Sequence, residues 1–158
     1  MDVRLAPAAP ALRDRLLRIA PRPEQERFAG RLADTLPAAE ADPDREPVAI
    51  LEGDEPVGFF VLHRGPAAGE LAPEERDVLL RALVVDAAAQ GRGIATRALA
   101  RLPGYVAAHL PGARRIVLTV NVRNPVAIRT YARAGFADTG ALYRGGASGP
   151  QHVFELWL

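Results

Sequence analysis

Apolar positions recur along the chain in two rhythms, and the change from one to the other marks out its elements. In Ala11–Ile19 the residues Leu12, Leu16, Leu17 and Ile19 fall at helical spacing, as do Phe28, Leu32 and Leu36 within Glu24–Leu36, so both stretches are predicted helices. Val3–Ala6, Val48–Leu51 and Val57–His63 are short β-type runs, and the turn Glu52-Gly53-Asp54-Glu55-Pro56 joins the last two into a hairpin. Val78–Val85 is too apolar to alternate, as expected of a strand covered on both faces. Arg115–Asn121 alternates as a further strand, and Gln151–Leu158 reads as another. From Ile94 onward Ala95, Ala98, Leu99, Leu102, Val106 and Leu110 keep one apolar helical face, and Asn124–Ala134 is a shorter helix. Pro37–Pro47 and Arg64–Pro73, rich in proline and in charge or glycine, read as loops. An interior proline removes one hydrogen bond and costs about 3 kcal/mol, so a kink or restart is predicted at Pro103.

This order predicts one mixed α/β domain over 1–158, with a strand–turn–helix unit at its centre where a functional site is to be sought. Composition narrows the reading. With 49% hydrophobic and 25% charged residues the chain is expected to fold as a soluble protein. No run reaches the roughly 18–20 apolar residues of a membrane span, and Met1–Pro10 has no signal-peptide pattern, so a cytoplasmic location and no membrane partner are expected. The absence of cysteine excludes disulfides, thiolate–metal sites and a cysteine nucleophile. His63, His109 and His152 lack metal-ligand spacing, so no metal is expected. All twenty basic side chains are arginine, and the net charge of +1 predicts no nucleic-acid partner. Charge is nonetheless segregated: acids dominate 38–80, whereas 87–137 holds eight arginines and no acid. That split reads either as solvated surface or as a basic half for an anionic ligand beside an acidic half for a cationic one.

Two segments carry candidate chemistry. Gln90-Gly91-Arg92-Gly93-Ile94-Ala95-Thr96 follows the buried strand and opens the next helix. A helix start leaves N–H groups unpaired and carries positive partial charge, a setting ready to receive phosphate. Glycine at 91 and 93 allows close backbone approach, Ala95 keeps the first turn narrow, and Thr96 adds a hydroxyl. The segment lacks the Gly-Lys-Ser/Thr of a Walker A loop and the third glycine of a dinucleotide fingerprint. Such a turn also serves purely structural ends, and taken alone these residues leave both readings open. In the second segment, Asn124 suits an N-cap, Pro125 a first helical position and Gly135 a left-handed C-terminal residue. Tyr131, seven residues after the cap, is not explained by that grammar.

The string Gln90-x-x-Gly93-x-Ala95 matches the Gln/Arg-x-x-Gly-x-Gly/Ala signature of the GNAT acetyltransferases, and Asn124-x-x-Ala127-x-x-x-Tyr131 with Gly135-Phe136 resembles the second half of that signature. The resemblance spans at least 78–136. It implies a single mixed six- or seven-stranded sheet with helices on both faces and central strands splayed for a ligand. It implies acetyl-CoA as cosubstrate, with its pyrophosphate clasped by backbone amides of about Gln90 to Ala95 (Gln90, Gly91, Arg92, Gly93, Ile94, Ala95), and with Thr96 beside them. It further implies that main-chain groups near Leu83 and Val85 face the acetyl carbonyl and pantetheine arm, that Asn124 contacts that arm, and that Tyr131 approaches the sulfur as general acid. The activity implied is acetyl transfer to a primary amine, by direct attack in a ternary complex, with a small-molecule acceptor. A coenzyme-binding sensor without turnover and a protein N-terminal or lysine acetyltransferase are the alternatives, and a homodimer is a family expectation.

The base is not supplied by the resemblance. Some relatives place a glutamate on the strand before the turn, where this chain carries only Arg81, which leaves Glu52, Glu75, Asp77 and Glu155 acting through water. For the acceptor, Pro23–Phe28, the 48–61 hairpin and the closing strand are similar to polyamine-type acetyltransferases, and the acidic stretch suits a cation. Arg81 suits a carboxylate-bearing acceptor such as an amino acid.

Overall fold

A computed structural model of the chain describes residues 2–158, and the side chains of all of these except Pro66 and Ala67. Seven strands form one sheet: β1 (Val3–Pro7), β2 (Arg45–Glu52), β3 (Glu55–Arg64), β4 (Asp77–Val85), β5 (Arg115–Asn121), β6 (Ala137–Tyr143) and β7 (Gln151–Trp157), in the spatial order β1-β2-β3-β4-β5-β7-β6. All neighbours are antiparallel except β4 and β5, so the sheet is mixed. Five α-helices accompany it: α1 (Arg13–Leu16), α2 (Glu26–Ala29), α3 (Leu32–Glu40), α4 (Ile94–His109) and α5 (Pro125–Arg133). One face packs Val48, Ile50, Phe60, Leu62 and Leu80 against α4 and α5, and the other packs Ala49, Leu51, Phe59 and Val61 against α1 and α3. Alternation along β2 and β3 thus feeds two cores, which is why both strands read as continuous apolar runs.

Several elements differ from the sequence expectation. The predicted helix Glu24–Leu36 breaks at Gly30, whose φ of 74° with ψ of −172° is a conformation open to glycine and to few other residues. Its second half continues as α3 through Pro37 to Glu40, and the loop expected over Pro37–Pro47 shrinks accordingly. Ala11–Ile19 is a 3-10 turn at Pro10–Leu12 followed by a single α turn. No restart occurs at Pro103: α4 is one helix of 16 residues. Leu99, Leu102 and Val106, all buried on the face below Pro103, are each worth about 1.5–3 kcal/mol, more in sum than the missing hydrogen bond. β6 is absent from the sequence reading because its first six residues are exposed and carry no alternating apolar signal.

The central pair of strands positions the site. β4 pairs with β5 only from Asp77↔Arg115 to Leu79↔Val117, and beyond Leu79 the two diverge. The closed end of this fork is locked by Arg115. Its guanidinium donates to Asp77 at 2.9 Å and to Glu155 at 3.1 Å and lies 5.3 Å from the Trp157 ring centroid. On its other edge β4 carries a bulge. Val61 opposes Arg81 while Phe59 opposes Val84, so one residue of β3 faces two of β4, and Ala82 takes a φ of 61°. The extra residue reverses the parity of the strand: Val78 and Leu80 face α4 before it, Leu83 and Val85 after it.

Candidate active site

The fork opens into a cleft of about 690 Å³ that passes between β4 and β5, within the range typical of ligand sites. Its wall brings together elements far apart in sequence. Leu83 and Val85 come from the diverging end of β4, Gly91 and Gly93 from the turn before α4, Thr119 and Asn121 from β5, and Asn124 and Tyr131 from α5. In a strand, alternate residues direct their main-chain groups to the same neighbour, so the parting of β4 from β5 frees donors and acceptors along this wall.

At the α4 end, Gly91 and Gly93 have φ values of 80° and 71° with open space where a Cβ would stand. Among the described residues the backbone amides of Gly91 through Thr96 find no acceptor, and the N-terminus of α4 has no side-chain cap. These amides and the helix dipole make a cradle for an anion. Gln90 braces the turn instead of reaching into it, its Nε2 donating to the Val85 carbonyl at 3.0 Å and to Gln25 Oε1 at 2.8 Å. Gln90, Ile94, Ala95 and Thr96 also line the cleft. The side chain of Arg92 does not. It is turned away to Glu52, 2.9 Å from the carboxylate, so only its backbone remains near the cradle.

At the opposite wall Asn124 caps α5, its Oδ1 accepting from the Ala127 amide at 3.3 Å. Tyr131 is 8% exposed and meets Phe136 edge-on at 5.8 Å. Its hydroxyl has no hydrogen-bond partner among the described residues, and burial pushes its pKa well above the ordinary phenol value. The phenol is therefore neutral, a donor facing the cleft.

On the sheet face away from α4 the cleft is bounded by Phe28 and Ala29 of α2 and by Gly145 and Gly146 of the β6–β7 loop. Ser148 ties these walls together, its hydroxyl donating to the Arg27 carbonyl at 2.7 Å, while Asn121 Nδ2 donates to the Ser148 carbonyl at 2.8 Å. Phe28 falls in the Pro23–Phe28 segment singled out in the sequence, whereas Gly145, Gly146 and Ser148 carried no signal, because their proximity to it is created by long-range strand pairing. Glu52, Glu75, Asp77 and Glu155, the carboxylates considered as bases, are all outside the described wall of the cleft. Glu52 is held by Arg92, and Asp77 and Glu155 by Arg115. Among the described lining residues there is no acid of the 38–80 stretch; Glu70 lines a shallower hollow that shares Leu71, Tyr143 and Gly145 with the cleft.

Comparison with known proteins agrees with this architecture. Residues 10–136 match the profile of the acetyltransferase (GNAT) family. The uncharacterized N-acetyltransferase YbbJ of Bacillus subtilis is 34% identical over 136 residues, covering 85% of this chain and 84% of that protein. The structure of AAC(6')-Ib in complex with paromomycin and acetyl-CoA superposes with a TM-score of 0.79 at 21% identity, covering 99% of this chain and 94% of that one. The spermidine N-acetyltransferase of Vibrio cholerae, solved with CoA and spermine, gives 0.74 at 16% identity over 99% and 95%. At those identities the two structures speak for the fold, while the profile and the Bacillus relative speak for descent. The chain belongs to the GNAT acetyltransferase family.

Proposed function

We propose that this acetyltransferase binds acetyl-CoA in the fork between β4 and β5 and transfers the acetyl group directly to the primary amine of a small molecule. The observation that carries the reading is the open fork itself. It has unpaired amides from Gly91 to Thr96 at one end and the unpartnered Tyr131 hydroxyl on the facing wall of the same cleft. The amides and the dipole of α4 suit the pyrophosphate, and the freed edge of β4 near Leu83 and Val85 suits the pantetheine arm and the thioester carbonyl. Asn124, which lines the opposing wall, would contact that arm.

In this scheme the neutral amine nitrogen attacks the thioester carbon, and the carbon–sulfur bond breaks as the amide forms. Tyr131 gives its proton to the departing thiolate, and the proton lost by the amine passes to water and restores the phenol. Holding both reactants in one cleft can supply about 7–11 kcal/mol of the barrier reduction. The β4 amides would stabilise the oxyanion. The described wall offers no carboxylate for this proton, so the scheme hands it to water. That the two solved relatives hold paromomycin and spermine supports a small-molecule amine.

Release of free coenzyme A on mixing the protein with acetyl-CoA and an amine panel, with mass spectrometry of the product, tests the reading. An N-acetylated product is expected. Tight coenzyme binding with no thiol released from any amine or peptide would instead make the protein a sensor.

A further inference from the structure

Arg81 is the one charged side chain among the described residues that line the cleft. It follows Leu79 on the face of β4 away from α4, before the Ala82 bulge reverses the strand's parity, so the sheet separates it from the amide cradle at the start of α4. It is exposed to the cleft and makes no ion pair with any described carboxylate. Among the described residues its one hydrogen-bonding partner is His63 of β3, whose Nδ1 lies 3.4 Å from the Arg81 Nη1. A guanidinium can only donate, so Nδ1 is the acceptor and the imidazole proton sits on Nε2, which points toward Asp42 at 3.9 Å. His63 is 4% exposed, and burial, with help from the charges of Arg45 and Arg81, lowers its pKa and keeps it neutral. The histidine thus holds the guanidinium by a neutral contact that leaves its charge and most of its donors unspent.

Resting on the acetyl-transfer reading above, we propose that Arg81 is a specificity-determining residue that selects acceptors in which the primary amine is accompanied by a carboxylate, in the manner of an amino acid. The guanidinium fork matches a carboxylate bidentately, and no acid among the described lining residues competes for it. A diamine or polyamine would place a second cation beside Arg81 with no wall carboxylate to receive it, which disfavours that acceptor. His63 is the positioning residue that keeps the fork aimed into the cleft.

The test compares kcat/KM for 4-aminobutyrate, butylamine, putrescine, phosphoethanolamine and the common α-amino acids, in the wild type and in Arg81→Gln and Arg81→Glu variants. Coenzyme A binding is measured separately by calorimetry. The wild type is expected to prefer a carboxylate-bearing amine over its carboxylate-free isostere by at least about tenfold. Arg81→Gln should abolish that preference by lowering kcat/KM for the carboxylate-bearing amine at least about tenfold more than for butylamine, and Arg81→Glu should turn the preference toward putrescine. A wild type that prefers butylamine, putrescine or phosphoethanolamine overturns the proposal, as does an Arg81→Gln variant that loses all acceptors in equal proportion. Coenzyme binding without turnover of any of these amines overturns it too and leaves the coenzyme site standing, whereas failure to bind coenzyme A sinks the underlying reading itself.

Discussion

Tyr131 owes its chemical state to where α5 places it. Burial removes the hydration a phenolate would need, so the hydroxyl remains protonated well past the ordinary phenol pKa of 10.0. In the proposed role it is a donor at every pH a cell reaches, and no loss of rate from its ionisation is expected below about pH 10. Tyr131→Phe removes the donor and keeps the ring against Phe136. We expect kcat to fall about 10²-fold with the KM for acetyl-CoA nearly unchanged, measured by coenzyme release across pH 6–10, an estimate from the usual worth of general acids. A variant within about twofold of wild type would remove Tyr131 from the chemistry. The sequence made this residue visible because nothing in the grammar of the helix required a tyrosine there. Arg81 was visible too, as the only charge in an apolar strand, but its contact with His63 was not, since the two are brought together by the register Val61↔Arg81 and His63↔Leu79. Arg92 is a further case in which local sequence does not reveal the side chain's partner. Its place in the glycine turn implied a contact through its backbone amide, which the fold leaves at the cradle, while a carboxylate forty positions away, Glu52, takes the side chain.

At the scale of elements, the fork is held from both ends. At its closed end Asp77 is 4% exposed. Burial pushes its pKa up, but the hydrogen bonds from Arg115 and the Glu74 amide, with the charge of Arg115, outweigh that and leave it below the ordinary value of 3.8. A carboxyl depressed in the folded state contributes stability that is complete above the unfolded value and is lost as pH falls through the lower, folded one. Asp77→Asn should therefore cost about 1.5–3 kcal/mol at neutral pH, and less as the pH drops from about 5 to about 2, read by urea unfolding at each pH. An equal cost at both ends of that range would show that Asp77 is not ionised in the fold. At the bulge, Gly58 lets β3 approach β4. A Cβ there would lie 2.8 Å from the Val84 carbonyl oxygen and 2.9 Å from Ile50 Cδ1. The isoleucine tip can move aside, whereas the strand carrying Val84 can yield only by shifting the wall of the cleft. Gly58→Ala is expected to destabilise by about 1–3 kcal/mol and to raise the KM for acetyl-CoA several-fold, measured by thermal unfolding and steady-state kinetics. Element types were largely readable from periodicity, while the bulge and the divergence of β4 from β5 were not. Both arise from pairing between strands distant in the chain, which no local pattern of apolar and polar residues records.

For the molecule as a whole, the parallel contact across the fork spans only Asp77–Leu79 on β4, yet it joins the β1–β4 half of the sheet to the β5–β7 half. Helix α4, packed against β1 and α5, is the other main bridge between them. A ligand in the cleft would touch β4, the start of α4, β5 and α5 at once, so binding energy should appear as stiffening of that seam. At a coenzyme A concentration about 100 times Kd the fold should gain about 2.7 kcal/mol, which raises the melting temperature of a domain this size by about 5–10 °C. Hydrogen exchange should slow most in residues 80–85, 91–96 and 118–121, where backbone groups are unpaired across the fork or at the helix start. ATP and NAD at equal concentration should do much less, since neither carries an arm long enough to lie along β4. Equal stabilisation by all three, or protection confined to residues 91–96, would place the ligand on the helix terminus alone. The fork between the strands would then have some other use.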